Sequence, residues 1–440
     1  MSIPDIASTR PTLAAWLAEY AAIEADYLAS LRATGIDFAP RDDAEKRAAL
    51  KDRLAHKGAR FRNGDASISA GPLSSACKAC ATDEGSRTFY LSLACNRNCY
   101  FCFNANQEGY EKDRHLKETW RDELDAFLEG PVPVTHVALT GGEPLLHANE
   151  AVAFLQCAHA SAPAAHLRLY TDGDFLTDEL LGRLRDAGLS ELRLSVKPDE
   201  EGAHTEALRR MKLAKRYIPH IMVEMPVIPG TVDEMKQLLR AMDELGVFGI
   251  NLLEFGYPRG PWQPFAERGF RIANPPFAVP YNYSYAGGLP VAGSELACLQ
   301  LVEFALDEGL SLGVHYCSLE NKNRTQIFQQ DSAVALDDDL WEFDQSDFFW
   351  KTAKVFDDDV PRVEELLATA GAPWARDAEE ASIQFHPRYL PLLAISPVVP
   401  MLSINVIELY EGAPAVRELK LVPVAPAALL ESYPIFTMGA

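Results

Sequence analysis

The stretch Cys95-Asn96-Arg97-Asn98-Cys99-Tyr100-Phe101-Cys102 sets three thiols at Cys-x3-Cys-x2-Cys spacing, directly after the apolar run Thr88 to Leu93. Three thiolates so close in the chain can hold three corners of one [4Fe–4S] cube. Cubane clusters usually take four cysteines, so a loop with no adjacent fourth leaves one iron open to a small-molecule ligand. The competing readings are a zinc loop and three core thiols. Zinc sites are normally four-coordinate with paired Cys-x2-4-Cys knuckles, and core thiols have no reason to fall at this spacing.

A second group lies apart from the first. Cys77-Lys78-Ala79-Cys80 is half of a tetrahedral site and needs partners from elsewhere. In an expected strand Leu310 to Cys317, His315 and Cys317 point to one face, and Cys298 lies on a helix just before it. These residues suggest a second metal site of Cys77, Cys80 and Cys317. Cys298 or His315 would be fourth, or the fourth position would stay open, and the occupant would be an iron–sulfur cluster or zinc. Otherwise Cys298 and Cys317 are ordinary buried cysteines and the Cys-x2-Cys pair is incidental.

The elements that must carry these residues follow from periodicity. Apolar residues recur at three and four from Leu13 to Leu31, which gives an amphipathic helix Pro11–Arg32 ended by Gly35, and a charged helix follows at Asp42–His56. Residues Lys57 to Ala76 read as loop. From Thr88 short apolar strands alternate with longer amphipathic stretches: strands Thr88–Leu93, Thr135–Leu139, His166–Tyr170, Glu191–Val196, His220–Val227 and Gly249–Glu254, with helices between them. This predicts an α/β chain, a partial (β/α)6 TIM-like barrel with an N-terminal helical cover and a small C-terminal α+β domain. The expected boundaries are 1–60 for the cover, 61–260 for the barrel, 261–330 for a lid and auxiliary-cysteine segment, and 331–440 for the C-terminal domain. Active sites of such barrels sit at the C-terminal ends of the strands. There the second strand runs into Thr140-Gly141-Gly142-Glu143-Pro144, two glycines that let the backbone approach a ligand and a carboxylate able to accept from an ammonium group.

The cysteine spacing, with Phe101 before the last cysteine, and the Gly-Gly-Glu-Pro segment together resemble the radical S-adenosylmethionine (SAM) superfamily. The pair Cys77/Cys80 ahead of the first strand and the later His315-Tyr316-Cys317-Ser318 make it most similar to a little-described group related to pyruvate formate-lyase activating enzymes. The resemblance implies that the open iron chelates SAM, that one electron cleaves it to methionine and a 5′-deoxyadenosyl radical, and that this radical takes a hydrogen atom from substrate. It implies SAM contacts at Gly141, Gly142, Glu143, Phe101, Ser195 and Lys197. Tyr170-Thr171-Asp172-Gly173 looks like a family segment with aspartate in the usual asparagine position, and Ser195 replaces the aspartate of an Asp-x-Lys pair. The segment Val223–Thr231 would pass the adenine. A flavodoxin- or ferredoxin-type donor is the implied electron source. Cys298, Cys317, Tyr281, Tyr283 and Tyr285 are the candidates for quenching a substrate radical.

Composition narrows the partners. With 63 acidic against 41 basic residues the formal charge is −22, which repels phosphate backbones and disfavours nucleic acid. The start of the chain lacks the features of a signal peptide and no run approaches ~20 apolar residues, so a cytoplasmic protein away from membranes is expected. The first expectation for substrate is a peptide or protein-bound residue. A small amino acid or sugar is the alternative, followed by glycyl-radical activation and, from another class, a non-catalytic iron–sulfur electron-transfer protein. The Pro/Gly/aromatic stretch Phe255–Ala292 is a candidate lid.

Overall fold

The computed structural model describes residues 9–40, 43–105, 109–116, 119–196, 203–258, 262–277, 279, 288–394 and 396–424. The chain divides into two units: Thr34–Pro276 with Tyr285–Thr325, and Met1–Ala33 with Phe277–Ser284 and Gln326–Ala440.

The first unit is built on a nine-stranded sheet. Its strands are β1 (Arg60–Arg62), β2 (Ser67–Ala70), β3 (Ser86–Tyr90), β4 (His136–Thr140), β5 (His166–Thr171), β6 (Glu191–Leu194), β7 (His220–Val227), β8 (Gly249–Glu254) and, after the short pair β9 (Gly256–Tyr257) and β10 (Leu289–Pro290), β11 (Gly313–Cys317). The order is β1-β2-β11-β8-β7-β6-β5-β4-β3. Strands β3 to β8 and β11 are parallel; β2 joins β11 antiparallel, and β1 joins β2. The sheet therefore runs past the six expected strands. β11 adds a seventh parallel strand beyond the long insertion after β8, and the stretch read as loop from Lys57 to Ala76 is a hairpin on the sheet edge. Ser-Ile-Ser-Ala alternates as a strand should, but it is too short and polar to announce itself.

Alternation gives the sheet two different faces. Leu139, Leu169, Leu192, Val223, Ile250, Val314 and Tyr316 point to one side and are buried under the helices Trp120–Leu128, Ala148–Ser161, Asp178–Asp186, Ala203–Ala214, Val232–Glu244 and Ser294–Asp307. Each such side chain contributes about 1.5–3 kcal/mol by leaving water. The other, inner face carries Arg168, Tyr170, Arg193, Glu224, Asn251, His315 and Cys317. A sheet face made only for packing would carry branched apolar residues. This one is polar.

The second unit holds an antiparallel sheet of β12 (Glu342–Phe343), β13 (Trp350–Phe356), β14 (Ala375–Asp377), β15 (Ser382–Phe385), β16 (Met401–Tyr410) and β17 (Ala413–Pro423), in the order β14-β15-β13-β16-β17 with β12 against β13. The helix Val360–Thr369 packs Val360, Val363 and Leu367 against Val355, Ile383 and Phe385. The helix Pro11–Arg32 belongs here as well. Leu13 is buried with Phe356, Val399, Met401 and Leu421, and Tyr20 donates to Glu418 Oε1 at 2.7 Å. Arg10 pairs with Asp359 at 2.7 Å. The span 1–60 expected as one cover is thus divided, because the helix Asp43–His56 lies in the first unit, buried through Leu50 and Leu54 and salt-bridged to Glu303 from Arg53 and Lys57.

Candidate functional site

Cys95, Cys99 and Cys102 line one cleft at the C-terminal ends of the parallel strands, together with Thr140, Gly141, Gly142, Glu143, Tyr170, Thr171, Asp172 and Ser195. The cysteine loop follows β3 and is clamped to the end of β4 by backbone bonds: Gly142 N donates to Ser92 O at 3.1 Å and Glu143 N to Ala94 O at 2.8 Å. A Cβ on Gly142 would sit 1.9 Å from Ala94 O, and Gly141, at φ +114°, would meet Ser92 O at 2.5 Å. The two glycines therefore serve the approach of one protein segment to another, not only of backbone to a ligand.

Glu143 is also turned inward. Its carboxylate accepts from Leu145 N at 2.9 Å, Thr171 Oγ1 at 2.8 Å and Asp172 N at 2.7 Å, capping the short helix Pro144–His147 and tying β4 to the end of β5. Burial, then the neighbouring Asp172, raises its pKa to about 7 despite those three donors.

A charged network holds the cysteine loop from its other side. Arg97 reaches Asp172 at 3.3 Å and Asp174 at 2.7 Å, Asn96 donates to Asp174 at 2.7 Å, and Arg210 pairs with Asp174 at 2.5 Å. Asp172, at the position where the resembling family has asparagine, thus has a cation on its carboxylate. Arg97, Asp174 and Arg210 are functional-site residues that sequence reasoning missed; the signal was a pair of acids after β5 and a basic residue inside the cysteine loop.

Phe101 does not line the cleft. Its ring stacks edge-on against Tyr100 at 5.0 Å and Phe255 at 5.9 Å, in an aromatic cluster with Phe265 that backs the loop. Ser195 does line it, its N–H donating to Thr171 O at 3.0 Å. Lys197, Tyr281, Tyr283 and Tyr285 lie outside the described residues.

The second cysteine group gathers on the inner face. Cys77 lies in the short helix Ser75–Ala79, capped by Ser74, whose hydroxyl donates to Glu191 at 2.6 Å. Arg193 donates to Cys77 Sγ at 3.3 Å and to Glu191 at 2.6 Å, and pairs with Glu224. Cys80 O accepts from Thr325 Oγ1 at 2.7 Å, and Cys317 Sγ accepts from Asn321 at 3.5 Å. Burial pushes all three thiols up, Cys317 to about 12, with Arg193 opposing at Cys77 and Lys322 at Cys80 and Cys317; the charges of Cys80 and Cys77 bear on Cys317. Cys298 lies instead in the helix layer, near Leu253 O at 3.9 Å and buried beside Glu254. Its helix packs on the side of the sheet opposite the face that carries Cys317, although the charge of Cys317 still bears on it.

Among the described residues no helix is long and apolar enough to cross a membrane. Residues 89–242 match the family described as the Radical SAM superfamily. A protein of Methanocaldococcus jannaschii, provisionally named a glycyl-radical enzyme activating enzyme, is 28% identical over 259 residues, 57% of this chain and 64% of that protein. Among solved structures, Streptococcus suis SuiB bound to precursor peptide SuiA has 12% identity and a TM-score of 0.38, covering 57% of this chain and 52% of that one. The protein anSMEcpe with bound AdoMet and Cp18Cys peptide has 16% identity and a TM-score of 0.33, covering 39% and 51%. The chain spans less than two thirds of that relative and about half of each structure. Both the cysteine loop and the strand-end glutamate fall within the matched span, so residues 89–242 carry a segment of the radical SAM type, and the chain is similar to a relative named for glycyl-radical enzyme activation.

Proposed function

We propose that this chain cleaves SAM reductively at a [4Fe–4S] cluster on Cys95, Cys99 and Cys102, and that the 5′-deoxyadenosyl radical takes a hydrogen atom from a residue of a peptide or protein. The observation that carries the reading is the shared cleft: three cysteine side chains and the Gly-Gly-Glu-Pro turn line one space at the strand ends. That donor set fits a cube with one open corner. When bound, the cluster supplies the electron that breaks the sulfonium C–S bond; binding and orientation fall to this chain. The glycine turn and the Arg97 network fix the cysteine loop. Glu143 keeps the turn closed with its side chain, which leaves the Ser195 hydroxyl, and on the family resemblance Lys197, to meet the ribose and carboxylate of SAM. A flavodoxin- or ferredoxin-type protein would deliver the electron.

A peptide or protein target is favoured by the relative named as an activating enzyme, since such a protein acts on another protein. A small amino acid or sugar is the second reading for substrate. The experiment is anaerobic: reduced, reconstituted protein with SAM is assayed for 5′-deoxyadenosine by mass spectrometry, beside Cys99→Ala. Wild type forms the nucleoside and the variant does not. A fully iron-loaded wild type that forms none, with a reduced-cluster EPR signal indifferent to SAM, would replace this reading with electron transfer. Deuterium carried into 5′-deoxyadenosine from labelled peptide, but not from free amino acids or sugars, separates the two substrate classes.

A further inference from the structure

The inner face contains buried polar atoms that the protein does not satisfy. His315 Nδ1, Asn251 Oδ1 and Ser69 Oγ have no hydrogen-bond partner among the described residues, although His315, Asn251 and Ser69 are 2%, 4% and 1% exposed. They are neighbours, since His315 pairs with Ser69 on one side and with Asn251 on the other in the sheet. Leaving such groups bare costs about 1–3 kcal/mol each, so this patch is shaped for something that the amino acids do not supply. Asn251 donates to Glu224 at 3.1 Å, Glu224 pairs with Arg193, and Arg193 donates to Cys77 Sγ. The orphaned ring nitrogen lies on the same face of the sheet as Cys317, two residues further along its strand, and this relay links that patch to Cys77; Cys77, Cys80 and Cys317 form no disulfide.

We propose that Cys77, Cys80, Cys317 and His315 Nδ1 ligate a second iron–sulfur cluster on the inner face of the sheet. Ser67 Oγ engages His315 Nε2 at 2.8 Å, the outer hydrogen bond that fixes the ring of a ligating histidine and leaves the other nitrogen for metal. Arg193 and Lys322 offset the charge of the three thiolates, whose protons leave as the cluster binds. Three of these side chains do not converge on one single-ion position, and neither do Cys95, Cys99 and Cys102. Three thiols and an imidazole are a donor set that iron–sulfur clusters and zinc both accept, and the iron and zinc content measured below separates the two. This centre does not depend on SAM chemistry at the other.

The test uses the full chain, reconstituted anaerobically with iron and sulfide. In Cys95→Ala/Cys99→Ala/Cys102→Ala we expect about four irons per chain to remain, with a reduced EPR signal indifferent to SAM. Adding Cys317→Ala should abolish it. Adding His315→Ala should lower iron retention or move the g-values, and His315→Cys should restore retention. The reciprocal variant Cys77→Ser/Cys80→Ser/Cys317→Ser guards against misfolding: it should keep only the SAM-responsive signal and half of the wild-type iron. A reciprocal variant with iron equal to wild type, or zinc in place of iron in the first variant, would overturn the proposal.

Discussion

Gly142→Ala tests whether the strand-end glycines exist to let the cysteine loop close on β4. The added Cβ would lie 1.9 Å from Ala94 O, 2.4 Å from Ala94 C and 2.5 Å from Leu93 O. All are backbone atoms, so no flexible side-chain end can swing away and the segments must part. Overpacking of this kind costs about 1–3 kcal/mol. Parting also weakens the Gly142–Ser92 and Glu143–Ala94 hydrogen bonds, at about 0.5–1.5 kcal/mol each, so the total is on the order of 4 kcal/mol. Gly182→Ala is the control: it sits inside the helix Asp178–Asp186 with nothing within 4 Å of its Cβ, and should stabilise by about 0.5–1 kcal/mol. The assay is urea unfolding of the apoprotein with iron per chain after reconstitution. Gly142→Ala should lose stability and iron at the Cys95 site, while Gly182→Ala loses neither. If Gly142→Ala unfolds with wild type and keeps its iron, the close approach is not what the glycine is for.

Arg97→Ala removes the hydrogen bonds to Asp172 and Asp174 and leaves the buried Asp172 without that cation; a hydrogen bond to a charged group is worth about 1.5–3 kcal/mol, so iron should pass to a chelator at least tenfold faster with circular dichroism unchanged. Leu13→Ala should cost the second unit about 2–5 kcal/mol, read as early proteolysis of that unit, without loss of iron. Burial, followed by Glu295, holds the Glu254 carboxyl up at about 8 against an ordinary 4.5. The folded chain therefore keeps a proton that the unfolded chain gives up, and its stabilising effect is full below about pH 4.5 and lost as pH rises through 8. Glu254→Gln should flatten that part of the urea-midpoint profile. Cys157→Ser, whose thiol meets Arg121 away from both cysteine groups, should leave iron content unchanged.

The cysteine loop and the strand-end motif were legible because their chemistry is local: spacing along a few residues fixes what they can hold. Strands β7 and β8 and the helix Pro11–Arg32 were legible to the residue, since period is written in the chain. What an amphipathic face covers is not written there. Leu13 and Trp16 announce an apolar stripe, and nothing nearby says that Met401 and Leu421 lie under it. Arg97 and Asp174 are far apart in sequence and meet only because the β3 and β5 ends are neighbours across β4. The position of Phe101 beside Cys102 is local, but that its ring packs edge-on against Phe255 is not readable from the chain. That Cys298 sits in the helix layer, while Cys317 lies on the strand face with His315, was likewise not readable from spacing.

The hairpin edge carries a consequence for how the chain assembles. Ser67 and His315, bonded through β2 and β11, are 248 residues apart. Closing so long a loop costs little more than closing one half its length, about 0.6 kcal/mol per doubling, but such non-local pairing forms slowly. The β2–β11 seam joins the two ends of this unit in sequence, since β3 to β8 all lie between its strands along the chain. Cys77 and Cys317, 240 residues apart, are brought to one end of the sheet by that seam, so a chain cut short before β11 lacks it.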